Sequence, residues 1–585
     1  MHQKADPEKV TDDEAQSGSH RPANLIYGVS DSVPLASLIP LVAQQVIMLS
    51  VDLIFPVLIV AAVGGTVEMA QTVVSMMMIS MGMGTILQAW RKNSVGSGYF
   101  CAHETGTPYF PASIMAVQAG GFPLMCGMTV CAGIFQSLTS RIMHRLRILF
   151  PVEISGLIVT LMAVTFITYA LPNFIGLDAQ GKGSLPVSLL SVSMLGVIIV
   201  MHIWGGKRTR EYSIIAGIGF GYVGSYVFGL LPADKVEKFI NAPWLALPST
   251  EHLGLAFDPT LVVPFIIAAF CSSIKTVGNL TTCQKVNDDG WKRLDVKSVG
   301  NGLFAEGIGT VLGGLLGTMG QTTSSGSVGL SVATGATSRQ IAFGTGFCFL
   351  VFAFLPKIAA LFAIMPQPVI GVILMVEIAF VVPTAMQICS SRMLNSRRMF
   401  VLGISLTFGF GVNMVPGFGE SFPLWLQPLT QNGLALGTIL AISLHLLFRI
   451  GIATHRVLEV VPGTDANEAV FLFFRECGGE WGARPEVVSR ATSAVAQCIE
   501  TLTDLELARG SIKVDASFEE FNLNVDIEYE GVLPLLSDTR PTEEELLNDE
   551  DAFARLSGFL LKRYADKITS DCKNGKCMLH FNFEH

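Results

Sequence analysis

Long apolar segments alternate with short polar loops along the chain from residue 31 to residue 456. A helix that crosses the hydrocarbon layer needs about 20 mostly apolar residues, because the layer is about 30 Å thick and each residue rises about 1.5 Å. About fourteen segments meet this requirement, the first at 38–61 and the last at 433–450. The pattern predicts an all-α polytopic membrane protein with its transmembrane domain over 31–456.

Two of these segments are interrupted by residues that disfavour a continuous helix. A glycine-rich stretch that ends in Pro108 leads into the third, 107–121, and a run rich in Gly, Thr and Ser over 313–327 leads into the tenth, 325–338. Both hold the third position in a set of seven segments, which is typical of an inverted repeat with a binding site at the midplane. Close helix packing through small residues is the alternative explanation. The matched positions favour the site.

Lysine and arginine collect in alternate loops, for example at 141–147, 285–297 and 392–398. By the positive-inside rule these loops face the cytoplasm, so both termini are expected there. The N-terminal tail, 1–30, is polar and lacks the basic and then apolar order of a cleaved signal peptide. We expect a multi-pass protein of the plasma membrane, with a bacterial inner membrane as its setting.

After Val461 the composition changes to that of a soluble domain, which predicts a cytoplasmic α+β domain over 457–585. The expected elements are a strand at 470–475, a helix at 485–507, a hairpin of strands at 511–518 and 523–529, a helix at 549–566 and a last strand at 578–583. A regulatory or oligomer-packing role is the expectation for this domain.

Composition and charge limit the classes of function. Mean hydropathy is +0.52, and 50% apolar against 15% charged residues is too apolar for a series of ordinary soluble domains. The net charge of −9 arises in the terminal regions and argues against nucleic acid as a partner. The lipid bilayer and a small-molecule substrate are the expected partners. No nucleophile and base set, phosphate loop or metal-ligand cluster stands out, so we expect no enzyme, no cofactor and no metal site.

The eleven cysteines indicate no disulfide framework, because most of them stand singly in apolar segments, where cysteine behaves as a small hydrophobic residue. Cys572 and Cys577 could clamp a turn through a disulfide or a metal ion. No further ligands with zinc spacing accompany them, so the pattern favours no specific role.

Lys275 is the outstanding ionisable residue within an apolar segment. A charge at the centre of a membrane helix costs roughly 2.5 kcal/mol or more, and hydroxyl groups and Asn279 flank this lysine. We expect a functional role, with a lysine that reaches the membrane surface or a fixed structural pair as the alternative. Glu306 could pair with Lys275 or cap the interior of a helix, and structural pairing is the expected role. Asp52 and Glu377 are expected near an interface, where a carboxylate costs little, and are assigned no chemistry.

The interrupted third and tenth segments offer backbone groups rather than side chains. Unwound backbone and the positive ends of half-helices suit a planar, hydrogen-bonding or anionic ligand. Tyr109 and Phe110 could supply aromatic faces for stacking such a ligand. Ordinary core packing is an equally weighted explanation for both rings.

Several motifs resemble, in their order and spacing, those of the nucleobase-ascorbate transporters, also called nucleobase cation symporters. They lie at 305–310, 322–330, 334–339, 354–362 and 366–368. The resemblance implies fourteen helices in seven-plus-seven inverted repeats, a core domain, a gate domain, and short antiparallel strands in the third and tenth spans. It also implies secondary active uptake of a nucleobase, as in xanthine and uracil permeases, coupled to a cation. H+ and Na+ are the candidate coupling ions, and a homodimer is left open.

The chain departs from this family at the positions that the resemblance assigns to substrate. The family's Gln-His of the first span corresponds to Gln44 and Gln45. The acidic residue of the eighth span corresponds to Lys275, and Asn279 stands where the family has an aspartate. A carboxylate that would accept hydrogen bonds from a neutral nucleobase is thus replaced by an ammonium group, which only donates.

The tenth-span signature, Gln/Glu-Asn-x-Gly, is altered in the same sense. Gly326 and Ser327 replace its first two residues, while Gly329 and the more distant Thr334 remain in register. The framework of the family is retained and its ligand chemistry is changed. The hypothesis is a nucleobase-like substrate with anionic or carbonyl-rich character, such as an oxidised purine.

Two other functions stay open from the sequence: an exchanger of organic or inorganic anions with sulfate-permease-like architecture, and a non-transporting membrane sensor. Sulfate-permease tails would resemble an anti-sigma antagonist fold. The tail of this chain instead resembles the ATPase-like fold of anti-sigma regulators, through a long helix followed by a hairpin, without the residues that bind ATP. The topology of 468–585 therefore discriminates between the two transporters, and ligand binding without flux would indicate the sensor.

Overall fold

The computed structural model describes residues 21–584 apart from short gaps, which lie at 23, 92–94, 143–151, 179, 207–208, 211, 251, 292–293, 416, 424–425, 451–454, 462–465, 520–521, 538, 543–544, 547–548, 550–551 and 574. The predicted N-terminal tail therefore falls largely outside the described residues. The chain forms two compact units. The first comprises 1–151, 157–385 and 405–439, and the second comprises 152–156, 386–404 and 440–585.

Helices account for most of the chain before residue 450. The bounds are α1 Leu35–Ser50, α2 Ile54–Ala62, α3 Val67–Ala89, α4 Phe110–Thr139, α5 Val152–Ile175, α6 Leu185–Ile203, α7 Ser213–Val227, α8 Ala233–Asn241 and α9 Val262–Asn287. The remaining helices of this region are α10 Val296–Leu315, α11 Ser325–Thr334, α12 Arg339–Ala353, α13 Pro356–Ala363, α14 Gln367–Cys389, α15 Ser396–Met414, α16 Gln427–Thr430 and α17 Gly433–Arg449. Two short strands, β1 His103–Thr105 and β2 Gln321–Thr323, interrupt the helical series.

The helices confirm a multi-pass membrane protein. Among the described residues, seven helical segments are long and apolar enough to cross a membrane, and the pair α12 and α13, bent by 84°, would make an eighth. The finer expectation of fourteen spans in two repeats stays a prediction, because several shorter helices do not pass this test. Predicted segments three and four correspond to the two helical parts of α4, which non-helical backbone at Gly120 and Gly121 separates; Gly121 has a φ of +71°.

The region after residue 450 is an α+β unit built around one sheet. Its elements are β3 His455–Val460, α18 Ala466–Trp481, α19 Pro485–Asp504, β4 Ala508–Glu519, β5 Asn522–Gly531, α20 Ala552–Tyr564, β6 Lys567–Lys573 and β7 Lys576–Glu584. The strand order is β3-β4-β5-β7-β6, and every neighbouring pair is antiparallel. Alternate residues of the central strands are buried among α18 and α19, for example Ile512, Val514 and Ile527.

The expected strand at 470–475 is wrong, since α18 covers it. Val470, Phe474, Cys477 and Trp481 are buried at helical spacing, so the apolar run belongs to one face of a helix. The predicted helix at 485–507, the hairpin, the later helix and the last strand correspond to α19, β4 with β5, α20 and β7. Strands β3 and β6 were not expected. The structure also joins Cys572 to Cys577 in a disulfide between β6 and β7, where the sequence favoured no specific role.

Candidate functional site

The two short strands pair with each other at the interruptions expected from the sequence. They run antiparallel, with Glu104 opposite Thr322 in register. A helical segment follows each strand: a 3-10 turn and α4 follow β1, and α11 follows β2. Ser324 caps α11 by accepting a hydrogen bond from the Ser327 N–H at 3.1 Å. Each interruption therefore places a strand and a new helix start in the interior of the first unit.

Glycine permits this close crossing of the two strand segments. The Gly106 N–H donates to the Gly320 carbonyl at 2.8 Å. A β-carbon on Gly320 would lie 2.7 Å from the ring of Tyr109, and one on Gly106 would lie 2.6 Å from the Gly320 oxygen. These distances are shorter than van der Waals contact, so the backbone approach requires glycine at both positions.

Lys275 forms an ion pair with a carboxylate that the sequence interpretation did not single out. Its Nζ donates to Oε1 of Glu104 on β1 at 2.5 Å. The two side chains are 18% and 8% exposed, so the pair is largely removed from water. Glu306, the partner considered from the sequence, instead accepts a hydrogen bond from the Ser272 hydroxyl and is fully buried.

Two further carboxyl groups lie near this ion pair. Asp52 lies in the 3-10 turn Val51–Leu53 between α1 and α2, near enough to Glu104 and Lys275 to interact electrostatically with both. Glu377 of α14 is also within electrostatic range of Glu104 and Lys275. Neither Asp52 nor Glu377 was assigned a role from the sequence. The fold brings them to the lysine from distant parts of the chain.

Asn279 holds the second strand in place. Its Nδ2 donates to the carbonyl and the hydroxyl of Thr323 at 3.1 and 3.0 Å, and its Oδ1 accepts from Ser325 at 2.9 Å. Thr276, one turn earlier on α9, also contacts the Thr323 hydroxyl at 2.8 Å. Both polar ends of the amide are therefore engaged, and Asn279 positions β2 and the start of α11 beside α9.

Gln45 connects the first helix to the start of α11. Its Nε2 donates to the Ser327 carbonyl at 3.3 Å and to the Ser331 hydroxyl at 3.2 Å. Oε1 of Gln45 and Oγ of Ser327 are buried, and neither has a hydrogen-bond partner in the part of the chain that the structure describes. A buried polar atom without a partner is costly, so these two atoms are candidates for ligand contact. Gly326 lets the Met48 side chain of α1 approach this point.

Tyr109 and Phe110 lie in packed surroundings. The Tyr109 hydroxyl donates to Oε1 of Gln136 at 3.1 Å. The Phe110 ring contacts Phe55 and Tyr169, with centroids 5.2 and 4.9 Å apart. Both side chains are fully buried. Of the two explanations weighed from the sequence, this arrangement favours core packing over stacking on a ligand.

The other sequence candidates lie outside the Lys275 cluster. Gln44 is half-buried on α1, next to Gln45. Gly329 is exposed on α11, and a β-carbon there would meet nothing within 4 Å. The Thr334 hydroxyl donates to the Leu330 carbonyl at 2.8 Å within the last turn of α11.

Similar proteins are membrane permeases. A Clostridium perfringens protein, CPE0397, which bears the name of a purine permease, is 28% identical over 444 residues, or 74% of this chain and 96% of its own length. The uric acid permease PucK of Bacillus subtilis is 25% identical over 400 residues, or 68% of this chain and 92% of its own length. Among solved structures, the transmembrane domain of the cyanobacterial bicarbonate transporter BicA gives a TM-score of 0.42 at 15% identity, over 70% of this chain and 97% of that one.

The xanthine/uracil permease model, described as the permease family, matches residues 36–418. This range contains β1, β2, α9 and every residue of the candidate site. It also includes the motifs that suggested nucleobase transporters from the sequence alone. The chain therefore belongs to the xanthine/uracil permease family.

Proposed function

We propose that this chain is a secondary active transporter for a nucleobase-like anion, with an oxidised purine such as urate as the representative substrate. The observation that carries this proposal is the ammonium group of Lys275, buried beside β1 at the position where the family has an acidic residue. A buried cation is a favourable partner for a carbonyl-rich or anionic ring and a poor one for N–H donors. The name of PucK, a uric acid permease, supports the same substrate class.

Three polar groups define how such a ring would be held. Lys275 offers a charged donor, Oε1 of Gln45 offers an acceptor, and Oγ of Ser327 can act as either. Urate presents carbonyl and anionic acceptors together with ring N–H donors, so it can satisfy all three groups. The unpartnered state of the Gln45 and Ser327 oxygens supports a polar ligand at this point.

We propose the family architecture for the membrane region: fourteen spans in two inverted repeats of seven, divided into a core domain and a gate domain. The antiparallel pairing of β1 with β2 supports this arrangement, because the two strands occupy matched interruptions. Both termini would lie in the cytoplasm and the protein in the plasma membrane of a bacterium, as the distribution of basic residues suggests. A homodimer coupled to H+ or Na+ completes the proposal, and no enzymatic role is proposed.

The tail favours this transporter over the sulfate-permease-like alternative. A long helix, α19, leads directly into the antiparallel hairpin of β4 and β5, and the sheet has no parallel pair among its described strands. This is the arrangement on which the resemblance to anti-sigma regulators rests. A regulatory or oligomer-packing role for the tail, within a domain over 457–585, stays part of the proposal.

Ligand-dependent stability followed by flux tests the proposal. Purified protein would be heated with nucleobases, urate, sulfate or bicarbonate, because a ligand that binds only the folded state raises the melting temperature. We expect urate or xanthine to give the largest shift and to enter proteoliposomes in a saturable manner. A shift with sulfate alone would favour the anion exchanger, and a urate shift without any flux would favour the sensor. Either result would contradict the proposal.

A further inference from the structure

Cys572 and Cys577 lie at the outer edge of the sheet in the tail. Strand β6, which carries Cys572, is the last in the order β3-β4-β5-β7-β6, so β7 is its only neighbour among the described strands. In the register of this pair, Cys572 stands directly opposite Cys577, one residue pair before the turn. The disulfide between them therefore closes the tip of the hairpin of β6 and β7.

Strand β6 makes few contacts apart from its pairing with β7, and all but one of its residues are exposed. Its base is held by Arg490, which forms a salt bridge with Asp566 at 3.0 Å and donates to the Tyr564 carbonyl at 2.9 Å. Towards the tip, the salt bridge between Lys573 and Asp571 stays within β6 itself. The outer part of the strand therefore depends on the β7 ladder and on the disulfide.

The two sulfur atoms lie in unlike surroundings. Cys572 is exposed, whereas Cys577 is 2% exposed and its Sγ lies 3.3 Å from the Gly531 carbonyl oxygen. The other nine cysteines of the chain are free, and each of them is buried or half-buried. An accessible thiol beside a second cysteine that completes the bond is the arrangement of reversible redox sites. Cys572 is thus the thiol that a reagent in solution reaches first.

The setting of this disulfide indicates that it opens and closes. The proposed function places the tail in the cytoplasm, where thiols are kept reduced and disulfides are mostly transient or redox-sensing. The two cysteines are separated by five positions, so their bond removes little loop entropy from the unfolded chain. We propose that Cys572 and Cys577 form a reversible redox site that controls the pairing of β6: a small-molecule disulfide joins them, and a small-molecule thiol releases them.

The oxidation step balances in atoms and electrons. The Cys572 thiolate attacks one sulfur of the small disulfide, and a mixed disulfide forms as one small thiolate leaves. The Cys577 thiolate then attacks the Cys572 sulfur, which closes the protein disulfide and releases the second small thiolate. The two thiol protons pass to these leaving groups, and two electrons move from the protein to the reagent. Excess small thiol drives the same steps in reverse.

A redox titration of the full chain tests this site. Purified protein would be equilibrated with mixtures of reduced and oxidised glutathione, quenched with acid, alkylated in denaturant and analysed by mass spectrometry. Eleven cysteines are alkylated when the pair is open and nine when it is joined. We expect the number to change reversibly between these values. The inference is overturned if the pair stays joined in a large excess of reduced glutathione, or stays open in excess oxidised glutathione.

Single variants separate the roles of the two sulfur atoms. In Cys577→Ser, the exposed Cys572 has no partner, so oxidised glutathione should add one glutathione to it. In Cys572→Ser, the buried Cys577 should add none, and all ten remaining cysteines should be alkylated throughout. Ser570→Ala changes another exposed residue of β6 and is the matched control, with the titration of the native chain. Glutathione on Cys577 in place of Cys572 would contradict the order of attack.

Hydrogen exchange measures the effect of the bond on the fold. When the pair opens, the amides at 569–573 should exchange at least about tenfold faster, because the tip loses its cross-link while Arg490 still holds the base. The redox state should have no effect on these amides in Cys572→Ser. Equal exchange in both redox states of the native chain would overturn control of β6 by the bond. Neither measurement needs substrate, so a chain that moves no urate would refute the proposed function alone.

Discussion

The Lys275 ammonium lies 2.5 Å from a carboxylate oxygen of Glu104, which stands 171 residues earlier in the chain. The lysine comes from a long helix and the glutamate from the short strand of the first interruption. An ion pair at this position compensates the charge of a buried ammonium group. In the proposed function an anionic substrate replaces the glutamate as the partner of Lys275, so the pair would link the stability of the empty protein to its affinity for substrate.

Glu104→Gln should affect these two properties in opposite directions. Removal of one partner from a buried ion pair destabilises a protein by about 3–5 kcal/mol, so the melting temperature without ligand should fall. The anion no longer competes with Glu104 for Lys275, so urate should raise the melting temperature of the variant more than that of the native chain. Equal shifts in both proteins would show that Glu104 does not compete with substrate.

Gln45→Leu should weaken substrate binding. The substitution removes the unpartnered Oε1 as a ligand contact and leaves the Ser327 carbonyl without its Gln45 donor. Loss of a hydrogen bond in a buried site costs about 1–3 kcal/mol, or roughly one to two orders of magnitude in affinity. Initial rates of uptake against substrate concentration would measure this effect. An unchanged KM would exclude Gln45 from the site.

Gly320→Ala should prevent the close approach of β1 and β2. The new β-carbon would lie 2.7 Å from the Tyr109 ring, which is packed on all sides and hydrogen-bonded to Gln136. Overpacking of this kind costs about 1–3 kcal/mol or more. Gly219→Ala is the matched control, because its β-carbon would meet nothing within 4 Å in helix α7. Similar melting temperatures for the two variants would contradict a close crossing of β1 and β2.

Arg398→Met should destabilise the second unit. The Arg398 guanidinium pairs with Glu153 and donates to the Trp481 carbonyl at 2.9 Å, and both charged side chains are largely buried. Loss of the arginine leaves Glu153 uncompensated, at a cost of about 3–5 kcal/mol. The double variant Arg398→Met/Glu153→Leu should recover most of this loss in thermal unfolding. If the double variant is less stable than the single one, the pair is not the cause.

The tail should lose stability in alkaline solution through its buried thiols. Burial raises the pKa of Cys498 to about 12, from an ordinary value of 9.0. The unfolded thiol releases its proton near pH 9 and the folded thiol only near pH 12, so this stabilisation is full below pH 9 and is lost as the pH rises to 12. Thermal unfolding of the full chain between pH 8 and pH 11 would measure the effect. Cys498→Ala should flatten the pH dependence, and an identical slope would contradict it.

The sequence predicted those parts of the molecule that depend on local patterns. Apolar runs of helical length predicted a membrane protein. The glycine-rich interruptions predicted where the helical series breaks, and β1 and β2 form at these places. The hairpin and α19 followed from alternation and amphipathic spacing. The strand predicted at 470–475 was wrong because a short apolar stretch fits a buried strand and a buried helix equally well. Only the spacing to Cys477 and Trp481 reveals the helix.

The partner of Lys275 could not be predicted in the same way. Glu104 lies in a polar stretch with no periodicity, and any of four carboxyl groups could have reached the lysine. Strand register and helix placement select Glu104, and these depend on contacts across the whole first unit. For Tyr109 and Phe110 the structure favours core packing over stacking on a ligand. The rings that contact Phe110 come from α2 and α5, which lie far from it in the sequence.

Uptake of labelled urate by Lys275→Gln, compared with the native chain in proteoliposomes at neutral pH, is the most direct test of the central claim. The account predicts saturable uptake by the native chain and at least about a tenfold lower affinity in the variant, because the buried charge that pairs with the anion is lost. Uncharged hypoxanthine should lose much less affinity. Unchanged urate affinity in a folded Lys275→Gln variant would contradict the assignment of Lys275 as the group that binds the substrate anion.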